Sequence, residues 1–217
     1  MKLYTYYRST AAFRVRIALN FKGIAYESIA LHLRSGEHRA NEYLKVNPQG
    51  LIPALDDDGV VISQSLAIIE YLEEKFPQPA LLPKAPADRA RVRSMALSVA
   101  ADMHPLNNLR VLNFLRKPLG HDERTVNETW YREWIANGFR GLEEQAKRFT
   151  GDGKHMFGTS VTMADVLIAP QMYNALRFHC DVTPYPTLRS ICAHLESLPP
   201  FIKAAPELQP DSEQAQV

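Results

Sequence analysis

Asn47-Pro48-Gln49-Gly50-Leu51-Ile52-Pro53-Ala54-Leu55 runs into Asp57-Asp58-Gly59 and then Val60-Val61-Ile62. Two short β-favouring runs around an aspartate-rich turn that ends in glycine predict a β-hairpin. Gln64 to Phe76 follows directly, with Leu66, Ile69 and Leu72 at helical spacing and Ser63 or Ser65 available as the cap. Upstream, Lys2 to Tyr7 is aromatic and β-favouring, and Arg8-Ser9-Thr10 has the composition of a helix start. Val15, Ala18, Leu19 and Phe21 continue that helix until Gly23 stops it. Tyr26 to Leu33 predicts a second strand, and the polar segment Arg34 to Val46 a loop with a short helix. The order is therefore βαβ followed by ββα.

Prolines crowd the stretch Phe76 to Pro86, which marks a linker. Beyond Ala87 the helical signals dominate: Asp88 to His104, Leu106 to Arg116, Arg124 to Phe149 and Met163 to Phe178. Pro105 and Pro170 are expected to interrupt or kink their helices. Thr162 and Asp165 have capping-box spacing, which fixes the start of the last of these helices. The tail Glu207 to Val217 is polar and expected to fray. Two domains follow, residues 1–80 as α/β and residues 87–210 as all-α.

The chain has 217 residues, 46% of them hydrophobic, and a formal charge of +1 from 25 Lys and Arg against 24 Asp and Glu. That balance creates no long-range field toward nucleic acid or an anionic membrane. No run of about 18 apolar residues and no apolar leader is present, so a cytoplasmic location is expected. Cys180 and Cys192 form no C-x-x-C pair and have no histidines at ligand spacing, so reduced thiols and no metal are expected.

The βαβ-ββα unit, the proline-rich linker, the helical second half and the string Asn47 to Pro53 together resemble the cytosolic glutathione transferases. Tyr7-Arg8-Ser9-Thr10-Ala11-Ala12-Phe13-Arg14-Val15-Arg16-Ile17-Ala18-Leu19 is similar to the signature of the zeta class, which includes maleylacetoacetate and maleylpyruvate isomerases. The likeness runs from Met1 to about Gln209. Ser9 and Thr10 match the two serines of that signature, whereas Ala11 stands where the class has cysteine and Ala12 where it has serine. No protein thiol is available for the chemistry, which the resemblance assigns instead to the thiol of glutathione.

This resemblance implies a thioredoxin-like first domain with a mixed four-stranded sheet, and a cis bond before Pro53 that aims the backbone of Ile52 at the cysteinyl part of glutathione. Gln64 and Ser65 would hold the γ-glutamyl carboxylate, as a helix N-terminus favours an anion. Gln49 and His38 match glutathione-contacting positions. Asp102, His104 and Asn108, around the break at Pro105, would reach the tripeptide's ends, Asp102 across a homodimer interface. A thiol with pKa near 8.5 needs help to ionise at neutral pH. Ser9, or else Thr10, would give that help together with the start of the first helix.

The implied reaction is thiolate addition to a cis double bond flanked by carbonyls, rotation, and expulsion of the thiolate to leave the trans isomer. Charge on the enol oxygen and the carboxylates calls for cationic donors, and Arg8, Arg110 and Arg177 match arginines of the maleylpyruvate isomerases. Arg14 and Arg16 lie two apart on one helix, cannot share a face, and read as structural. The substrate is then a small keto acid. Maleylpyruvate, from gentisate breakdown, and maleylacetoacetate, from tyrosine breakdown, both stay open, with the arginines leaning toward the former. Two other readings stand beside this one: a transferase acting on apolar or halogenated electrophiles, and a non-catalytic binding module.

Overall fold

The structure is a computed structural model that describes residues 1–213. It divides into two compact units, Met1–Ala80 with the residues from Ser197 onward, and Leu81–Glu196 between them.

In the first unit, β1 (Lys2–Thr5), β2 (Glu27–Ala30), β3 (Ala54–Asp57) and β4 (Val60–Ser63) form one sheet in the order β2-β1-β3-β4. β1 runs parallel to β2, and both pairs on its other side are antiparallel, so the sheet is mixed, as expected. Asp58 and Gly59 both take positive φ, 52° and 92°, and Asp56 Oδ1 accepts the Gly59 N–H at 2.8 Å. Positive φ at both turn residues matches the right-handed twist of the hairpin.

β1 is shorter than the expected Lys2 to Tyr7. The carbonyls of Tyr6 and Tyr7 leave the ladder to accept bonds from Arg16 at 3.4 and 3.0 Å, and Tyr6 also accepts the Ser9 N–H. α1 (Thr10–Phe21) is buried on every side from Thr10 to Leu19, because α3 (Ser65–Lys75) and α11 (Pro199–Ala204) both pack on it. A 3₁₀ turn at Glu37–Arg39 precedes α2 (Asn41–Val46).

The second unit is helical. α4 (Pro86–Leu97) passes through a π-helical segment (Ser98–Met103) into α5 (His104–Leu106). α6 (Leu109–Arg116) and α7 (Glu123–Thr125) follow. A second π-helical segment (Val126–Tyr131) leads into α8 (Arg132–Phe149), then α9 (Met163–Arg177) and α10 (Pro186–Glu196). Pro105 sits in the short α5, and the break comes at Asn107 and Asn108. Pro170 does not end α9; the helix is buried nearly all round, and that packing outweighs one missing backbone bond.

Three further features depart from the sequence reading. α10 and α11 were not expected. The tail does not fray through Glu213: Gln209 and Ser212 are buried, Gln209 Nε2 donates to the Lys203 and Ala205 carbonyls at 3.0 and 2.9 Å, and Asp211 accepts the Tyr7 N–H at 2.9 Å. The rest of the expected tail, residues 214–217, lies outside the described residues. Finally, the C-terminal part of the expected 87–210 domain packs with the first unit, since Phe201 and Ala204 are buried on α11 and Arg16 Nε donates to the Ala204 carbonyl at 3.1 Å.

Asp165 is fully buried and accepts bonds from Met156 N, Thr162 N and the Thr162 hydroxyl at 2.8, 2.7 and 2.7 Å. Burial pushes its pKa above the usual carboxylate range, against those three donors. Asp165→Ala leaves all three unsatisfied, and chemical denaturation followed by circular dichroism should show a loss of about 2–4 kcal/mol. Asp165→Asn, which keeps one acceptor, should lose less.

Candidate active site

The loop before β3 is organised by Asn47, which is 3% exposed. Its Nδ2 donates to the Leu51 carbonyl at 2.7 Å, its Oδ1 accepts the Gln49 N–H at 3.2 Å, and its carbonyl accepts the Gly50 N–H at 2.9 Å. The Tyr43 hydroxyl donates to the same Leu51 carbonyl at 2.5 Å. Gly50 has φ +58°, and a Cβ there would come within 3.0 Å of the His38 carbonyl and 3.2 Å of Arg39 Cδ. The glycine therefore lets the His38 segment close onto the loop. His38 is half-buried, its Nδ1 has no partner among the described residues, and burial beside Arg39 lowers its pKa, which favours the neutral ring.

The Ile52–Pro53 bond is cis. Pro53 is buried, the ladder resumes at Ala54, and neither the N–H nor the carbonyl of Ile52 is paired with another described residue. One backbone donor and one acceptor thus stand side by side at the end of β3. That pattern fits the addition of a short extended peptide.

At the far end of the hairpin the chain enters α3 through Gln64, at φ 72° and ψ 118°. Non-glycine residues rarely hold such a conformation, and it costs on the order of 1–3 kcal/mol. The Gln64 Nε2 donates to Gln49 Oε1 at 3.0 Å, so two expected contact residues are brought together. Neither serine caps α3: Ser63 ends β4, and Ser65 is the first helical residue, buried, with its Oγ accepting from Arg14 Nη1 at 3.5 Å. Among the described residues no side chain caps this helix, so its first N–H groups keep their positive field.

Ser9 does cap α1, its Oγ accepting the Ala12 N–H at 3.2 Å. A cap uses an oxygen lone pair, and the Ser9 O–H has no acceptor among the described residues. Capping and donation to an anion are therefore compatible. Thr10 is 3% exposed, whereas Ser9 is half-buried. Arg8 is engaged: its guanidinium pairs with Glu213 at 3.1 Å and lies 5.0 Å from the Tyr7 ring centroid. Nothing in the sequence pattern flagged Glu213, because the contact closes a loop of about 200 residues and carries no local signature.

In the second unit, Asn108 caps α6, accepting from Val111 N at 3.2 Å and donating to the Pro105 carbonyl at 2.9 Å. Asp102 is exposed and His104 half-buried. Arg110 and Arg177 are exposed and belong to no ion pair among the described residues. Arg177 lies 4.8 Å over the Phe178 ring, which stacks on Tyr131 at 3.9 Å. Cys180 and Cys192 are buried free thiols, and burial raises the pKa of Cys180 to about 11, so neither offers a ready nucleophile. Among the described residues no cluster of His, Cys, Asp or Glu is placed to hold a metal, and no helix is long and apolar enough to cross a membrane.

A mixed βαβ-ββα sheet, a cis proline and an uncapped helix start after the hairpin define a thioredoxin-like unit of the glutathione transferase class. Residues 3–80 match the family described as glutathione S-transferase, N-terminal domain. A probable maleylacetoacetate isomerase of Vibrio cholerae is 49% identical over 97% of both chains. The holo structure of a bacterial zeta-class maleylpyruvate isomerase superposes with a TM-score of 0.95, at 46% identity over 98% of this chain and 100% of that one. A maleylacetoacetate isomerase from Methylobacterium extorquens AM1, solved with malonate and glutathione, gives 0.92 at 41% identity over 98% of this chain and 99% of that one. The chain belongs to the zeta-class glutathione transferase family of maleylacetoacetate and maleylpyruvate isomerases.

Gln64→Gly tests the strain in the first unit. Glycine tolerates positive φ, so thermal or urea unfolding should show a gain of about 1 kcal/mol, and titration should show weaker glutathione binding.

Proposed function

We propose that the chain is a glutathione-dependent isomerase that converts a maleyl keto acid to its fumaryl isomer. The observation that carries the reading is Ser9, whose oxygen caps α1 while its proton is uncommitted among the described residues. The site's residues fit glutathione: Ile52 offers an unpaired backbone donor and acceptor, and Ser65 stands at an uncapped helix start. When bound, glutathione supplies the thiolate that adds to the cis double bond and leaves after rotation.

In this reading the Ser9 hydroxyl donates a hydrogen bond to the sulfur and, with the α1 N-terminus, favours the thiolate. Thr10, buried behind it, is the lesser candidate. Ile52 pairs with the cysteinyl backbone, Gln64 and Ser65 take the γ-glutamyl carboxylate, and Gln49 with a neutral His38 lines the loop side. Asp102 and His104 reach the tripeptide's ends. Asn108 spends one Nδ2 proton and one Oδ1 lone pair on the α6 start, and its second N–H joins Asp102 and His104 toward the tripeptide's ends. Arg8, Arg110 and Arg177 meet the substrate carboxylates and the developing enolate. The protein acts as a cytoplasmic homodimer, a reading supported by the family resemblance and by the exposed Asp102 carboxylate, which pairs with no described residue.

Purified protein incubated with each cis substrate, with and without glutathione, should lose that substrate's absorbance only when glutathione is present. No glutathione-dependent loss of either would sink the reading. Ser9→Ala should lower kcat on the order of 100-fold with glutathione affinity nearly unchanged. Arg177→Ala should mainly raise the substrate KM, and equal, small effects of the two changes would remove these roles. Glu213→Gln frees Arg8 and should lower the substrate KM about 2- to 5-fold, the size of an exposed ion pair. An unchanged KM would take Arg8 out of the substrate's path.

A further inference from the structure

Arg14 and Arg16 sit two residues apart on α1, and both are buried, at 1% and 0% exposure. The fold saturates one and not the other. Arg16 donates to the Ala204 carbonyl, the Thr5 hydroxyl and the Tyr6 and Tyr7 carbonyls. Among the described residues Arg14 has a single hydrogen-bond partner, Nη1 to Ser65 Oγ at 3.5 Å, while Nε and Nη2 have none and no carboxylate pairs with the group. Burial lowers its pKa to about 9, which leaves it charged at neutral pH.

A lone buried charge destabilises a fold, and replacing such a group with an apolar one often stabilises it. Arg14 therefore needs a reason outside packing. That hydrogen-bond partner begins α3, where the backbone N–H groups are uncapped and the preceding Gln64 is strained. Guanidinium has donors only, so Ser65 must meet it as an acceptor. The Ser65 proton is thereby available to an acceptor other than Arg14.

We propose that Arg14 is a positioning residue for the γ-glutamyl carboxylate of glutathione, acting through Ser65 and through its own charge beneath the α3 N-terminus. The proposal rests on the glutathione-binding reading above and extends it to a residue that does not itself touch the ligand. An electrostatic defect in the ligand-free fold is compensated when the carboxylate binds.

Calorimetric titration compares glutathione with an analogue carrying a carboxamide in place of the γ-glutamyl α-carboxylate, on the wild type, Arg14→Met and Arg14→Lys. Urea unfolding of the same three proteins, without ligand, gives their midpoints. Wild type should prefer glutathione. In Arg14→Met that preference should shrink about tenfold, the size of one charge-assisted hydrogen bond, through weaker glutathione binding alone. Its urea midpoint should rise, and Arg14→Lys should restore part of the preference. A lower midpoint or an unfolded methionine variant, or equal weakening of both ligands, would make Arg14 structural and overturn the proposal. An unchanged preference in both variants would do the same with glutathione binding intact. A wild type that does not bind glutathione would overturn the binding reading as well.

Discussion

The Arg16 guanidinium holds the first unit together at the point where strand becomes site. It is fully buried, and it reaches the end of β1, the turn after it and the last residue of α11. Those bonds offset the cost of burying the charge. They also pull the Tyr6 and Tyr7 carbonyls off the sheet edge, which ends β1 at Thr5 and turns the backbone into the α1 cap. The placement of Arg8 and Ser9 follows from that turn.

The same logic of interior charge runs through the molecule and is invisible in its net charge of +1. The Lys22 ammonium is buried and donates to Glu73 Oε2 and to the Phe76 and Pro79 carbonyls, at 2.7, 2.7 and 2.9 Å. All three of its protons are used, and they fix the exit of α3. In the second unit Glu143 accepts the Thr187 and Leu188 N–H groups at 3.0 and 2.9 Å, and Asp165 accepts its three donors. Each is a charge whose hydrogen bonds are made inside the fold. Arg14 is set apart because its bonds are not.

These arrangements decide what the sequence could reveal. The hairpin was legible because Asp58-Gly59 carries its turn geometry locally, and so was the α9 start, because Thr162 and Asp165 are three residues apart. α10 was not, because the carboxylate at its N-terminus comes from Glu143, some 45 positions away. The tail read as frayed because its anchors, Tyr7 and Arg8, lie at the other end of the chain. At the site, Pro53, Gln64 and Ser65 were legible as a motif. The strained backbone at Gln64 and the loose contact of Arg14 were not, since nothing in a residue's type records its dihedral angles or how many partners it has found.

The return of the chain at Ser197 makes the first unit discontinuous in sequence. A fragment cut at the proline-rich linker would keep every strand and the whole Asn47 to Ser65 stretch. It would nevertheless lose the Ala204 acceptor of Arg16, the Pro200 carbonyl that accepts from Asn20 Nδ2 at 3.2 Å, and the cover that Phe201 and Ala204 give to α1. Such a fragment would carry the motif without being a self-sufficient folding unit. A working half-protein would need residues 197–213 grafted back, as a circular permutant or as a separate complementing peptide.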